Sequence, residues 1–490
     1  MGYVIGLDVG SQSVKGVLVD PDGMLVGEAS SPCEMTYPQS AWAEQDPMAW
    51  EEGVATVVRK LTAANGHGQV THLGLACQVD GVAPVDRALR PLRPAIIWLD
   101  RRASLQAASL ASAVGDEELF DITGLNADSS HIAPKLMWLR DEQPEVYRAA
   151  RYFSPVAGYL LGWLTGAVAQ DHANASSTLL YDVKRREWSE QLLDAADLEL
   201  AKLAPICQST DVVGTLTSEA ADRLGLTVGC RVVTGTGDEH GACLGAGIVR
   251  KGSVADITGT AEPVAAAADV PTADPGRLVE THAHSVPGMW LVENPGFVSG
   301  GSILWLAEAV LGTDQGAIFR LAEGAPPGSD GLLFLPALSG AMSPRWNDKV
   351  RGVFAGLAMS HGKATLARAV LEGCAYAMRD IVDRLDALDL AGPEIRVIGG
   401  GARSSLWMQI KADVTGRVTR SVLQTDAAAV GAAMLAGVAA GVFTDLEDAV
   451  RRVVRLAPVH YEPDPSRTEV YTEGYARYRS LFDRVETLWS

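Results

Sequence analysis

A turn rich in glycine and hydroxyl groups near the start of the chain contains the first residues that could do chemistry. Residues 6–15 read GLDVGSQSVK, so an apolar run ends in Asp8, and Gly10, two serines and Lys15 follow it. Glycine lets backbone N–H groups approach an anion, and hydroxyl and ammonium groups add further donors. An aspartate at a strand end is well placed to hold the hydrated Mg²⁺ that accompanies a nucleotide. The segment lacks the GxxxxGK[ST] pattern of P-loops, and a tight hairpin with a surface lysine would give the same letters.

Two later segments again place glycine at the end of an apolar strand. Residues 254–260 read VADITGT, and residues 395–402 read IRVIGGGA ahead of a helical pattern that ends near Val414. Three adjacent glycines would let a flat ring or a ribose approach the backbone. Each turn alone could be ordinary, but three of them in this order together indicate a nucleotide site.

The elements that must position these turns alternate between strands and helices. Apolar or alternating runs predict strands, and 3.6-residue periodicity predicts helices. The predicted strands are 3–7, 14–20, 70–77, 93–99, 231–238 and 252–260, and the predicted helices are 47–64, 102–114 and 134–150. This mixture predicts the α/β class. The uncharged stretch 427–443 is predicted to be a buried helix, because it is short for a membrane span and rich in Ala and Gly.

Length and charge restrict the classes of protein that fit. A chain of 490 residues is too long for one ordinary core, and Gly245-Ala246-Gly247 loosens it near the middle. We therefore predict two domains, 1–247 and 248–490. The chain has 41 Lys and Arg against 60 Asp and Glu, a formal net charge of −19. Phosphate backbones and anionic lipids repel such a surface, so neither nucleic acid nor a membrane is an expected partner.

The cysteines and the N-terminus predict a cytoplasmic protein. The six cysteines are scattered without a CxxC pair, which argues against a zinc site and a disulfide framework and suits a reducing compartment. The first residues lack a basic region and reach an aspartate at position 8, so they are not predicted to be a signal peptide.

The three turns and the segments between them resemble the FGGY carbohydrate kinases, and xylulokinases in particular. GLDVGSQSVK resembles the first phosphate loop of the actin/hexokinase superfamily, VADITGT the second, and VIGGGARSSLWMQIKADVTG the adenosine loop. AWAEQDPMAWEE, RPAIIWLDRR, TGDEHGACLGAG and FLPALSG resemble family segments, and the similarity runs from about residue 3 to about residue 440. The resemblance implies an actin/hexokinase-like (ribonuclease H-like) two-domain ATPase fold with an interdomain cleft.

The resemblance also implies roles for individual residues, with ATP and Mg²⁺ as cofactors. Asp238 would be the catalytic residue that accepts the proton of the attacking hydroxyl, although an aspartate here could also cap the following helix. Asp8 would hold the metal. The residues implied to face phosphates are Gly10, Ser11, Ser13, Lys15, Gly259 and Thr260, and those implied to face adenosine are Gly400, Gly401 and Ala402. The residues implied to line the substrate pocket are Gln78, Val79, Asp80, Trp98, Asp100, Asp238 and Glu239.

The substrate pocket departs from the xylulokinase pattern. Val79 and Asp80 stand where xylulokinases have Met and His, and Glu239 stands where many have Asn or Gln. Changing buried hydrogen-bonding groups shifts discrimination between substrates, because mismatched polar groups are left unpaired. The resemblance implies phosphorylation of D-xylulose to D-xylulose 5-phosphate. The departures leave open another ketopentose or a polyol such as xylitol, arabinitol, ribitol or erythritol.

Other departures and one other class of function stay open at this point. Ala341 and Met342 replace the Glu-Arg pair that usually follows FLPxLSG, with Arg345 a candidate to compensate, and Ile132 replaces the expected Ser, Thr or Pro. The chain could be an actin-like ATP-binding regulator without sugar kinase activity. A chaperone ATPase is disfavoured, because no residues remain for a peptide-binding domain. A homodimer is expected from the resemblance alone.

Overall fold

The computed structural model describes residues 2–64, 69–294, 296–341, 345–347, 349–424 and 426–488. Within these ranges the strands are β1 (Tyr3–Val9), β2 (Ser13–Val19), β3 (Leu25–Pro32), β4 (Glu44–Gln45), β5 (Val70–Cys77), β6 (Val82–Val85), β7 (Ala95–Ile96), β8 (Tyr152–Pro155), β9 (Gln170–Asp171), β10 (Tyr181–Asp182), β11 (Glu187–Trp188), β12 (Ile206–Cys207), β13 (Val212–Thr215), β14 (Arg231–Val233), β15 (Thr236–Gly237), β16 (Val254–Thr258), β17 (Val264–Ala268), β18 (Glu280–Ala283), β19 (Trp290–Glu293), β20 (Leu333–Leu335), β21 (Val353–Ala355), β22 (Glu394–Gly399), β23 (Val418–Val422) and β24 (Leu456–Tyr461). The helices are α1 (Pro47–Ala64), α2 (Ser104–Val114), α3 (Asp116–Thr123), α4 (Ile132–Glu142), α5 (Pro144–Ala149), α6 (Val156–Thr165), α7 (His172–Ser176), α8 (Glu190–Ala196), α9 (Ser218–Leu224), α10 (Asp238–Gly245), α11 (Gly300–Trp305), α12 (Gln315–Ala322), α13 (Lys363–Ala387), α14 (Ser405–Thr415), α15 (Ala427–Ala439), α16 (Leu446–Val453) and α17 (Thr468–Val485).

The first large sheet is built around two parallel strands, β1 and β5. Its order is β13-β14-β5-β1-β2-β3, with β15 also paired to β5. β1, β5 and β15 run in the same direction, and Cys77 is level with both Val9 and Gly237. The chain segments that follow these three strands therefore leave the sheet at the same edge.

The second large sheet brings the second and third glycine turns side by side. Its order is β18-β19-β17-β16-β22-β23-β24. β16 and β22 are parallel, and Thr258 at the end of one lies opposite Gly399 at the end of the other. Two turns that are about 140 residues apart in the chain are thus neighbours at one edge of the sheet.

Helix α15 joins the two halves, because it lies in the second half of the chain and packs on the first sheet. It contacts β1, β5 and α10, and its Val430 and Met434 share an apolar cluster with Val4 and Val17. This cluster confirms that the 427–443 stretch contains a buried helix. No helix in the described ranges is long and apolar enough to cross a membrane.

Glycines make this packing possible, and Gly431 offers a test of it. A Cβ added at Gly431 would lie 2.1 Å from the carbonyl oxygen of Gly241, whereas a Cβ at Gly229 meets nothing within 4 Å. We expect Gly431→Ala to lower the free energy of unfolding by about 1–3 kcal/mol, since overpacking forces the backbones apart. Gly229→Ala is the matched control and should change it little. Denaturant titration of the two variants measures the difference, and equal stabilities would contradict the close packing of α10 on α15.

Most element predictions are confirmed, with differences at proline and at short strands. Helix α1 spans the predicted 47–64. The predicted helix 134–150 is two helices, because Pro144 has no N–H to continue α4 and instead begins α5. The predicted strand 93–99 contains only the two-residue β7, where the chain turns after Ile96.

Candidate active site

The first glycine turn connects β1 and β2 and places Asp8 opposite Lys15 in the hairpin. The backbone N–H of Gly10 donates to the carbonyl of Ser13 at 3.1 Å and closes the turn. Asp8 is buried, and its Oδ1 has no hydrogen-bond partner. Burial and then the negative charge of Asp238 raise the pKa of Asp8 to about 7, although Lys15 opposes the shift. The turn therefore presents a buried carboxylate oxygen that lacks a proton donor.

Asp238 is the first residue of α10, directly after β15. Gly237 caps this helix, so the alternative that Asp238 is itself the cap is wrong. Asp238 Oδ1 accepts a hydrogen bond from the backbone N–H of Glu239 at 2.9 Å. Burial raises the pKa of Asp238, while hydrogen bonds from backbone N–H groups, those of Glu239 and Val79 among them, oppose the rise. A carboxylate with a raised pKa is a better proton acceptor near neutral pH.

Gln78, at the end of β5, is tied to the first glycine turn by a chain of amides. Its Nε2 donates to Gln45 Oε1 at 2.6 Å, and Gln45 Nε2 donates to the carbonyl of Ser11 at 2.7 Å. Gln78 Oε1 is buried without a partner. The Gln45 amide thus links the first glycine turn to Gln78, in the pocket expected to bind substrate.

Asp80 forms a buried ion pair with His131. Asp80 has a left-handed backbone, with φ of 59°, and its Oδ2 lies 3.2 Å from His131 Nδ1. Burial lowers the pKa of His131, but the charge of Asp80 more than offsets this and raises it to about 9. Sequence reasoning missed this role of His131, because it considered the 131–135 segment only for the departure at Ile132. Nothing in the local sequence shows that a histidine and a carboxylate from separate segments will be neighbours in the fold.

Trp98 and Asp100 differ in how much of each residue is exposed to solvent. Trp98 is 37% exposed, as a pocket wall requires, whereas Asp100 is fully buried. The carboxylate of Asp100 accepts hydrogen bonds from the backbone N–H of Ala43 at 2.6 Å and from the guanidinium and backbone of Arg102. The expectation that Asp100 contacts substrate is corrected: its oxygens are used to hold Arg102 and the segment around residue 43.

The three glycines of the third turn differ in what surrounds them. Gly399 has a φ of 92°, and a Cβ there would lie 2.4 Å from the carbonyl oxygen of Thr258. A Cβ at Gly401 would collide with Thr258 and Trp407, whereas a Cβ at Gly400 meets nothing within 4 Å. Packing within the protein therefore already requires glycine at positions 399 and 401. Gly399 and Gly401 allow the turn to pack on β16, although Gly399 is itself exposed, and Gly400 is the position where a side chain would meet no protein atom.

The remaining predicted residues border the same two sheet edges. Gly259 and Thr260 follow β16 and are exposed, while Ser11, Ser13, Val79, Glu239 and Ala402 are partly exposed. Among the departures, Ala341 is described, and Met342 lies outside the described residues. Arg345 binds Asp380 and Asp483, so it holds α13 to α17.

A buried lysine beneath the second turn was not found from the sequence. Lys411 Nζ lies 2.5 Å from Asp256 Oδ2, 2.7 Å from Thr258 Oγ1 and 3.0 Å from Glu262 Oε1. Burial and then Asp256 raise the pKa of Glu262 to about 7, and Lys411 opposes the shift. The lysine comes from α14, so one ammonium group connects the second turn with the helix that follows the third.

Comparison with known proteins identifies the class and then the family. Family models of the N-terminal and C-terminal domains of the FGGY carbohydrate kinases match residues 3–245 and 255–440. The xylulose kinase of Escherichia coli (strain K12) is 30% identical over 98% of this chain and 99% of its own, and that of Klebsiella pneumoniae is 31% identical over 99% and 100%. The crystal structure of xylulose kinase from Rhodospirillum rubrum superposes with a TM-score of 0.91, at 29% identity over 99% of both chains.

The fold is therefore that of a two-domain, actin/hexokinase-like phosphotransferase that uses ATP and acts on a small-molecule sugar. The chain belongs to the FGGY family of carbohydrate kinases.

Proposed function

We propose that the protein transfers the γ-phosphoryl group of ATP to D-xylulose and forms D-xylulose 5-phosphate, in a cleft between domains 1–247 and 248–490. The observation that carries this proposal is the shared edge of β1, β5 and β15: Asp8 lies near the end of β1, and Gln78 and Asp238 directly follow β5 and β15. The full-length similarity to proteins named xylulose kinases supports the choice of sugar. A cytoplasmic location and a homodimer stay predictions of the family resemblance.

Asp238 is proposed as the catalytic residue of this reaction. Phosphoryl transfer needs an aligned nucleophile, neutralised phosphate charge and a group that takes the proton of the attacking hydroxyl. Asp238 lies at the sheet edge next to the phosphate turn, and burial raises its pKa. It therefore accepts the sugar's proton as the oxygen–phosphorus bond forms.

The metal fits this site. Asp8 Oδ1 is buried and has no partner, and an unpartnered carboxylate oxygen is the type of ligand that Mg²⁺ prefers. No group of three or more His, Cys, Asp or Glu side chains that could hold a metal occurs in the described parts of the chain. Mg²⁺ usually keeps several waters and binds through one or two carboxylates and the substrate phosphates. Asp8 would hold the ion, which would neutralise phosphate charge.

The nucleotide is assigned to the glycine turns. Gly10, Ser11, Ser13 and Lys15 would face the phosphates from the first sheet, and Gly259 and Thr260 from the second. Gly400 borders open space and so leaves room for adenosine. Gly401 and Ala402 would support the adenosine site from within the protein, since Gly401 packs on Trp407.

The charges around the pocket suit a neutral polyhydroxy substrate. Arg102 is paired with Asp100 and Glu44, at 2.7 Å in both cases. Burial lowers the pKa of Lys135 to about 8, and its Nζ donates to the carbonyl of Asp80. These cations are committed to the protein, so they do not offer a site to a sugar acid. Gln78, Asp80, Trp98, Glu239 and partly exposed Val79 are proposed to contact the sugar.

A polyol or another ketopentose is the second candidate for the substrate. The specific observation is the Asp80–His131 pair, which presents a carboxylate where xylulokinases have an imidazole. A glycerol kinase from Burkholderia multivorans is also 30% identical over 91% of this chain and 91% of its own. A carboxylate accepts hydrogen bonds from hydroxyl groups but cannot donate one to a ketose carbonyl.

The test is ADP release from MgATP with a panel of ketopentoses and pentitols, D-xylulose, glycerol and a no-sugar control. Highest kcat/KM with D-xylulose is the expected result. Turnover only with a polyol or another ketose would replace D-xylulose by the second candidate. Nucleotide binding without turnover on any member would contradict the kinase proposal and favour an ATP-binding regulator.

A further inference from the structure

A cluster of acids and histidines, most of them buried, lies where α10 of the first half meets β18 and β19 of the second. Glu239 is the member next to Asp238, and Glu293 lies at the end of β19. The titratable groups that face this cluster from all the packed elements are Asp80, His131, Asp238, Glu239, His240, Cys243, Glu280, His282, His284 and Glu293.

Glu239 and Glu293 contact each other through their carboxyl groups. The two carboxyl groups interact side chain to side chain. Glu239 Oε1 and Glu293 Oε2 are shielded from solvent and have no hydrogen-bond partner among the described residues. The other oxygen of Glu293, Oε1, lies 3.2 Å from His282 Nε2. The order of contacts is therefore His282, Glu293, Glu239, from the second sheet toward the cleft.

Two buried carboxyl groups in contact cannot both be ionised, because like charges at this range repel strongly. A hydrogen bond between them requires a proton on one of them, since ionised carboxylates only accept. His282 Nε2 lies close enough to Glu293 Oε1 to donate an N–H to it, and such a bond favours the ionised form on that side. The proton therefore belongs to Glu239, which donates it to Glu293.

The pKa directions agree with this assignment. Burial and then Glu293 raise the pKa of Glu239 well above its ordinary value. Burial raises the pKa of Glu293 to about 7, while the hydrogen bond from Glu239 opposes the rise. Burial lowers the pKa of both His240 and His282, so these rings are neutral and add no cation beside the pair.

We propose that Glu239 works in the substrate cleft as a neutral hydrogen-bonding acid, and that Glu293 and His282 are positioning residues that keep it so. This inference rests on the proposed function, since it assigns Glu239 to the pocket of the sugar. A neutral Glu239 keeps a second negative charge away from Asp238 and from the phosphates that approach it. An ionised Glu239 would instead repel the phosphoryl group that is transferred and weaken binding of the substrates.

Raising the pH should therefore weaken binding of the acceptor. The raised pKa values mean that the pair keeps its proton at neutral pH and loses it as the pH rises through them. Once Glu239 ionises, the acceptor KM should increase about tenfold for each further pH unit, because only the neutral form binds productively. A decrease of kcat at low pH would instead report protonation of Asp238, and this effect is separate from the alkaline rise of the acceptor KM.

Two variants and one control test this on the full-length protein with MgATP and the best acceptor of the panel. Glu239→Gln removes the ionisation and should abolish the alkaline rise of the acceptor KM. Glu293→Gln removes the carboxylate that accepts the proton, so Glu239 should ionise more easily and the rise should begin at lower pH. Glu280→Gln removes a buried acid of the same cluster that does not share this proton, and the rise should remain.

A second measurement does not depend on turnover. Infrared difference spectra at neutral pH should show the carbonyl band of a protonated carboxylic acid in the wild-type protein, missing from Glu239→Gln. An unchanged alkaline rise in Glu239→Gln, or no protonated-acid band lost in that variant, would overturn the inference. A protein that phosphorylates no acceptor but shows the band would refute the proposed function and leave the shared proton established.

Discussion

Asp238→Asn should lower kcat by about 10²–10⁴-fold, because a general base typically contributes this much and an amide cannot take the proton. Asparagine has nearly the same shape, so the fold and the binding of MgATP should persist. The measurement is ADP release with the best acceptor, together with nucleotide affinity by calorimetry.

The thermal stability of this variant gives an independent check. The folded-state pKa of Asp238 is raised, so its ionised form costs stability at pH above its ordinary pKa. Asp238→Asn removes this cost and should unfold at the same or a higher temperature at pH 8. Loss of turnover with a stable fold is the pattern of a catalytic carboxylate.

Asp22→Asn, on the exposed turn between β2 and β3, is the matched control and should keep the wild-type kcat. Near-wild-type turnover of Asp238→Asn would mean that another group accepts the hydroxyl proton. Loss of nucleotide binding together with turnover would mean that the substitution disturbs the first glycine turn, the proposed phosphate site, and does not report on proton transfer.

The local parts of the site were predictable from the sequence. Asp8 and Gly10 stand in a strand–turn pattern whose periodicity and glycine placement depend only on neighbouring residues. The same is true of the strand before Gly399 and of the buried helix α15. Where a motif is local, backbone geometry follows from a few adjacent letters.

Contacts between distant segments were not predictable. His131 reaches Asp80, and Glu293 reaches Glu239, only because separate strands and helices pack together. Asp100 is a further example. Its segment could be predicted from the sequence, but the direction in which its carboxylate points could not. Burial decides which side of a segment faces the cleft, and burial depends on the whole fold.

Lys411→Met should destabilise the protein by about 3–5 kcal/mol, since it leaves two carboxyl groups buried without their cation. Asp256 and Glu262 are both fully buried, and Lys411 Nζ lies within 3.0 Å of each. Both carboxyl groups lie beneath the second glycine turn, which is proposed to face the phosphates, so the KM for ATP should also increase. Chemical denaturation and ATP kinetics measure the two effects.

The deficit should grow with pH. Without Lys411, the pKa of Glu262 rises further above its already raised value of about 7, so the folded protein holds protons that the unfolded chain releases. Stability must then fall as the pH rises from about 5 toward 8. A denaturation series across this range, compared with wild type at each pH, measures the slope.

Two further variants separate the loss of a buried charge from the loss of any lysine. Lys251→Met breaks the exposed pair with Asp389 and should change stability little, because water already screens that contact. The triple variant Lys411→Met, Asp256→Asn, Glu262→Gln removes the uncompensated charges and should recover most of the lost stability. A Lys411→Met protein as stable as Lys251→Met, or a triple variant no better than the single one, would show that the buried charges are not what Lys411 balances.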